Sequence, residues 1–179
     1  MFRNGIYITT IALIQFSLSA FAGDYKTYRD YSDGVTFDYP LNWNIQSQRT
    51  AAFRVVIAPS GPLGGTCMLS TTQIPSLAKY SDLQVRNMTT EKMLEDKARL
   101  SGLDFSITEL KRVYIGNRPA IIYSARSAYN EQIPMTITFG QVKVSDKFYE
   151  LGCTADSYST ERLKGIFLKI IYSLTIKYN

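Results

Sequence analysis

The chain carries no histidine. That absence removes Ser-His-Asp and Cys-His catalysis, zinc held by imidazole, and the usual proton shuttle near neutral pH. The remaining soft nucleophiles are two cysteines, Cys67 and Cys153. An even cysteine count favours a disulfide wherever a chain is exported, and such a bridge consumes both thiols. At a sequence separation of 86 residues, such a bridge contributes about 4–5 kcal/mol in the chain-entropy treatment. Two buried thiols, or one thiol that pairs with a partner, are the alternatives.

Carboxylates are the other reactive groups. Glu91, Glu95, Asp96, Glu109, Glu131 and Glu150 could support glycan hydrolysis if two of them faced one cleft. Glu91, Glu95 and Asp96 alternate with Lys92, Lys97 and Arg99, which reads as a solvated helix face held by local ion pairs. Ser76-Leu77-Ala78-Lys79 fits a Ser-x-x-Lys pattern, but that chemistry needs Ser-Asp-Asn and Lys-Thr-Gly partners. Here Ser81-Asp82 is followed by Leu83. The glycines at 61–65 lack the Lys-Ser/Thr ending of a phosphate-cradling loop. We therefore expect a protein that is not an enzyme, with no catalytic, cofactor or metal residues.

Binding residues are easier to nominate. Tyr25, Tyr28 and Tyr31 recur every three positions in a polar lead-in. Pro62 and Leu63 lie in the Pro- and Gly-rich loop over 59–65. Lys111, Arg112, Arg118 and Arg126 are expected to share one end of a strand meander, as a solvated rim or as a contact for an acidic partner or anionic lipid. That segment has no aromatic interleaving, so nucleic acid is not an expected partner. Trp43, the single tryptophan, reads as a core plug after a Pro turn.

The elements that must hold these residues follow from periodicity. Val35, Phe37 and Tyr39 alternate with polar residues, and Trp43 and Ile45 begin a return strand. Residues 52–58 and 67–74 read as further strands. Thr89 or Thr90 caps a helix with Glu91 in its first turn; Met93, Leu94, Lys97, Ala98 and Leu100 form its face, and Gly102 ends it. The segment 83–88 is ambiguous. Strands over 105–114, 119–128, 135–144 and 148–154 should form an antiparallel meander, with Gly116-Asn117 and Ser145-Asp146 as hairpin turns. Leu163, Ile166, Phe167, Ile170, Ile171 and Leu174 mark a closing amphipathic helix, capped by Ser159 or Thr160.

Residues 1–22 read as a signal peptide. Arg3 is followed by an apolar stretch over 6–18, and Ala20-Phe21-Ala22 supplies the small residues of a cleavage site. An uncleaved anchor or a buried N-terminal helix is the alternative. Residues 23–33 form an extended lead-in and 34–179 a single domain. The net charge of +5 is mild and spread along the chain. No later segment is apolar enough to span a bilayer.

This order of elements resembles the PsbP-like family, an α/β/α sandwich shared with the Mog-type proteins. Phe37-Asp38-Tyr39-Pro40-Leu41-Asn42-Trp43 is similar to its aromatic-x-Tyr-Pro-x-x-Trp opening. Phe167 through Ile171 with Ser173-Leu174 resembles its closing helix. The resemblance spans residues 31 to 176. It implies an α+β fold, an antiparallel sheet packed against helices, and a non-enzymatic accessory role. Metal contacts in PsbP relatives involve His, which is absent here, so no metal site carries over. The expected function is an exported, periplasmic or secreted binding or accessory module of the envelope, with an immunity or assembly factor as its specific form. A carboxylate-dependent hydrolase and a carrier of a lipid or small apolar ligand are the alternatives.

Overall fold

The structure is a computed structural model. It describes residues 24–48, 53–60, 64–100, 102–127 and 134–177. The expected signal peptide, Glu131, Pro62 and Leu63 lie outside the described residues.

Alternation sets the strands. β1 (Tyr25–Asp30) pairs antiparallel with β2 (Val35–Pro40), so most of the expected lead-in is paired chain. On β2, Val35, Phe37 and Tyr39 are buried while Thr36 and Asp38 are not, as a half-buried strand requires. β3 (Trp43–Gln48), β4 (Val55–Pro59) and β5 (Thr66–Gln73) follow as antiparallel neighbours. Two helices come next, α1 (Asp82–Met88) and α2 (Glu91–Leu100). Then come β6 (Phe105–Ile115), β7 (Arg118–Ser127), β8 (Met135–Val144) and β9 (Lys147–Asp156), the expected meander. α3 (Ser157–Tyr172) and the short β10 (Thr175–Ile176) close the chain.

The large sheet runs β3-β4-β5-β9-β8-β7-β6, and β1-β2-β10 form a small one. β9 therefore pairs with both β5 and β8 at the centre. The β6–β7 turn places Gly116 at φ 54° and Asn117 at φ 66°. Two successive left-handed residues make the type I′ turn that suits strand twist.

Helices cover both faces of the large sheet. On β7, Ala120, Ile121, Ile122 and Tyr123 are all buried, as a strand sandwiched on both sides must be. Ala120 and Ile122 join the main core with Phe167, Ile170 and Ile171 of α3 and with Val35 and Phe37 of the small sheet. Ile121 and Tyr123 point the other way and pack with Leu94 of α2. α3 can approach β8 closely because residue 140 is glycine: a Cβ there would collide with the Ile171 side chain. Trp43 is buried and meets Phe167 edge-on, with ring centroids 6.4 Å apart, as expected of a core plug.

One ambiguity is resolved and two local expectations need correction. The ambiguous segment 83–88 is α1, whose Ser81 and Gln84 form a reciprocal capping box. α3 starts earlier than Ser159 or Thr160: Asp156, the last residue of β9, accepts the Ser159 N–H at 2.8 Å. A strand that runs straight into a helix lets one carboxylate end the first and cap the second. In α2 the apolar face is narrower than expected, since Leu94 and Ala98 are buried but Met93 and Leu100 are exposed. Its cap is as expected, with Thr90 Oγ1 accepting the Met93 N–H at 3.3 Å. Among the described residues no helix is long and apolar enough to cross a membrane.

Candidate functional site

The face of the large sheet turned toward α2 is not fully covered. A cleft of about 390 Å³ lies between α2 and strands β5, β9, β8 and β7. Sheet register builds its floor. Met68 on β5 sits opposite Gly152 on β9, which sits opposite Phe139 on β8, which sits opposite Tyr123 on β7. Gly152 has no side chain to fill this row, and the Phe139 ring leans over it, so close that a Cβ there would collide with the ring. Tyr123 stacks on Phe139 with centroids 4.7 Å apart, and Phe105 tilts against it at 6.3 Å. Ile137 from β8 and Leu94, Ala98 and Leu103 from the α2 region complete apolar walls.

One polar cluster interrupts this surface. The neighbouring register row places Ser70, Glu150 and Gln141 side by side. Glu150 Oε2 accepts from Lys97 Nζ, Tyr123 Oη and Gln141 Nε2, each at 3.0 Å. The Glu150 side chain is 17% exposed, whereas Lys97 is 46% exposed and stands at the rim. Burial first, and the Glu150 carboxylate second, push the Tyr123 phenol far above its ordinary value, so it remains a donor. Glu150 Oε1 has no hydrogen-bond partner among the described residues. No buried side-chain polar atom there lacks a partner, so Oε1 is accessible to solvent, on a side chain that lines the cleft.

The helix charges therefore do more than was expected of them. Arg99 and Asp96 form a local pair. Lys97 instead crosses to Glu150, and Glu95 accepts the Ile107 N–H of β6 at 2.9 Å. These two side chains tie α2 to the sheet.

The nominated contact residues do not converge. Tyr25 lies under Lys169 Nζ, 3.7 Å from the ring centroid, and Tyr28 packs on Phe37 with centroids 5.0 Å apart. Tyr31 is exposed. Lys111 pairs with Glu109 at 2.6 Å. Arg112 donates to the carbonyls of Asn87 and Thr89, closing the C-terminal end of α1. Arg118 pairs with Asp82 at 3.5 Å. Arg126 sits at the other end of β7, eight residues on, or about 26 Å along an extended strand. The four cations do not share one end of the meander, because Arg118 and Arg126 stand at opposite ends of the same strand and Lys111 and Arg112 pair near its middle. A second, larger groove of about 650 Å³ runs beside Trp43 and α3, with Tyr25, Leu41 and Arg162 on its walls.

Cys67 and Cys153 are bonded, directly opposite one another on β5 and β9, with Cα atoms 4.0 Å apart. The expected disulfide thus ties the two central strands that form the cleft floor.

The sequence matches no family model and no curated protein. Solved structures do match. The solution structure of cyanobacterial PsbP (CyanoP) from Synechocystis sp. PCC 6803 is 14% identical, with a TM-score of 0.60, over 89% of this chain and 96% of that one. The fold is PsbP-like. LpqN of Mycobacterium tuberculosis, described as involved in cell envelope biogenesis, is 14% identical over 87% of this chain and 91% of its own, with a TM-score of 0.55. A Bacteroides thetaiotaomicron protein is 12% identical, with a TM-score of 0.56, and this chain spans 49% of its length. This PsbP-like sandwich carries its cleft on the sheet face opposite α3.

Proposed function

We propose that the protein is an exported, non-enzymatic accessory module of the cell envelope that binds a small, largely apolar ligand between α2 and the large sheet. The cleft carries this reading. Its volume of about 390 Å³ falls in the range of small-molecule sites, and its walls are apolar with one convergent polar cluster. Glu150 is the one carboxylate among its described lining residues. The two-carboxylate arrangement needed for glycan hydrolysis therefore has no support there. The disulfide suits an oxidising space, and the involvement of LpqN in cell envelope biogenesis points the same way.

Titration with the fluorescent apolar probe N-phenylnaphthylamine tests the reading. Saturable enhancement is expected, abolished by Ile137→Trp, which fills the cleft, and retained by Leu41→Ala in the second groove. Absence of saturable binding, or binding indifferent to Ile137→Trp in a protein that still melts cooperatively, rules the cleft out. The second groove supports docking of a protein partner, for which the immunity or assembly role remains our proposal. Tyr25 and exposed Leu41 would be its contacts, with the basic residues Lys111, Arg112, Arg118 and Arg126 lying elsewhere. Capture of a partner from envelope extract that Leu41→Ala weakens checks that role.

A further inference from the structure

The polar end of the cleft has an acceptor without a donor. Three donors from three elements converge on one oxygen of Glu150: Lys97 of α2, Tyr123 of β7 and Gln141 of β8. The Ser70 hydroxyl, also on the wall, is turned to the Glu150 backbone carbonyl at 3.5 Å. These donors face inward, toward groups of the protein. The second carboxylate oxygen, Oε1, has no donor and is accessible to solvent, on a side chain of the cleft wall. A ligand head that reaches this end meets a bare, negatively charged acceptor whose neighbours are already committed.

On that basis we infer that the ligand is a single-chain amphiphile whose head donates a hydrogen bond, as an amine or alcohol does, and that the cleft refuses a carboxylate head. This rests on the cleft being the binding site. A donor head completes the hydrogen bonding of Oε1, and a bond to a charged acceptor is the stronger kind. A carboxylate head would set acceptor against acceptor and charge against charge. Lys97 does not reverse this, because its ammonium is paired with Oε2. The remaining space takes a short tail. Its volume of about 390 Å³ lies toward the lower end of small-molecule sites. Phe105, Phe139, Ile137 and Leu94 offer that tail an apolar bed, and Leu103, 54% exposed, marks an apolar edge.

Competition against N-phenylnaphthylamine, with each competitor below its micelle concentration, tests the inference. Decylamine, decanol and decanoate carry similar short tails and differ chiefly in the head. Decylamine and decanol are expected to displace the probe at concentrations about tenfold below decanoate, the scale of one hydrogen bond to a charged group. Equal action of the amine and the alcohol shows that a neutral donor suffices; a stronger amine shows that charge adds to it. Glu150→Gln, nearly isosteric, is expected to narrow the decylamine-to-decanoate preference to about threefold or less, since charge repulsion is gone. If that variant does not fold, Lys97→Met at the exposed rim serves instead, and the preference against decanoate is expected to widen. Decanoate competing as well as the donors overturns the inference, as does a preference that ignores these substitutions. Failure of the probe itself to bind strikes the cleft reading and not only the head-group chemistry.

Discussion

Removing the Cys67–Cys153 bridge offers the most quantitative test of how this fold is held. The cross-link joins β5 to β9 across 86 residues of chain. Between them lie α1, α2 and three strands, so the reduced unfolded chain gains a large loop of freedom. For a loop of that length the chain-entropy model gives about 4.6 kcal/mol at 25 °C. Both sulfurs are fully buried, and replacing them by Ala adds a cavity term on the order of 1 kcal/mol. A domain of roughly 150 residues has an unfolding entropy near 0.3 kcal/mol/K around 60 °C, so Cys67→Ala/Cys153→Ala should melt about 14–18 °C lower. The denatured state should also expand, raising the urea m-value. Scanning calorimetry and urea titration of the oxidised protein and the double variant measure both. A drop under about 4 °C with an unchanged m-value would refute the reasoning, because the ladders on either side of β9 would then fix the register unaided and the unfolded chain would already be compact.

Two further outcomes follow from local geometry. Gly140→Ala should destabilise by about 1–3 kcal/mol in urea, because the new methyl meets Ile171 where α3 crosses β8, whereas a Cβ at Gly102 meets nothing within 4 Å and strains only its φ of 75°. The raised Tyr123 phenol makes stability depend on alkaline pH. Below its unfolded value near pH 10 both states hold the proton, and the contribution is complete. Above it the unfolded chain releases the proton while the native state keeps it, so stability falls with rising pH by about 1.4 kcal/mol per unit. Tyr123→Phe should flatten that slope by one proton's worth in urea melts between about pH 10 and 11, with Tyr25, Tyr39 and Tyr149 supplying the rest.

How the elements were legible depends on what carried the signal. The meander and α3 were readable because period-two and i, i+3, i+4 patterns are local consequences of burying one face. The segment 83–88 was not, because α1 is short and buries only Val85 among its residues. What commits it to helix is the Ser81–Gln84 capping box and the Arg112 side chain arriving from β6 at its far end. The cap of α3 was misplaced because a hydroxyl and a carboxylate three or four positions apart are equally good caps in isolation. Where β9 stops decides between them.

The cleft shows the same division more sharply. Composition alone excluded imidazole chemistry, since no arrangement supplies a side chain the chain lacks. Residue type likewise limited the thiols to a pair, and alternation placed them on strands. Glu150 looked like one polar residue of an alternating strand, and Lys97 like one charge of a solvated helix. Only tertiary structure brings Lys97, Tyr123, Gln141 and Glu150 together, because they belong to four elements whose mutual position is fixed by strand register and by how far α2 settles onto the sheet. Local sequence sets which way a side chain points along its own strand. It does not set which residue stands opposite, and that second choice, made by the packing of the whole sandwich, leaves one carboxylate oxygen without a donor on a side chain that lines an apolar cleft.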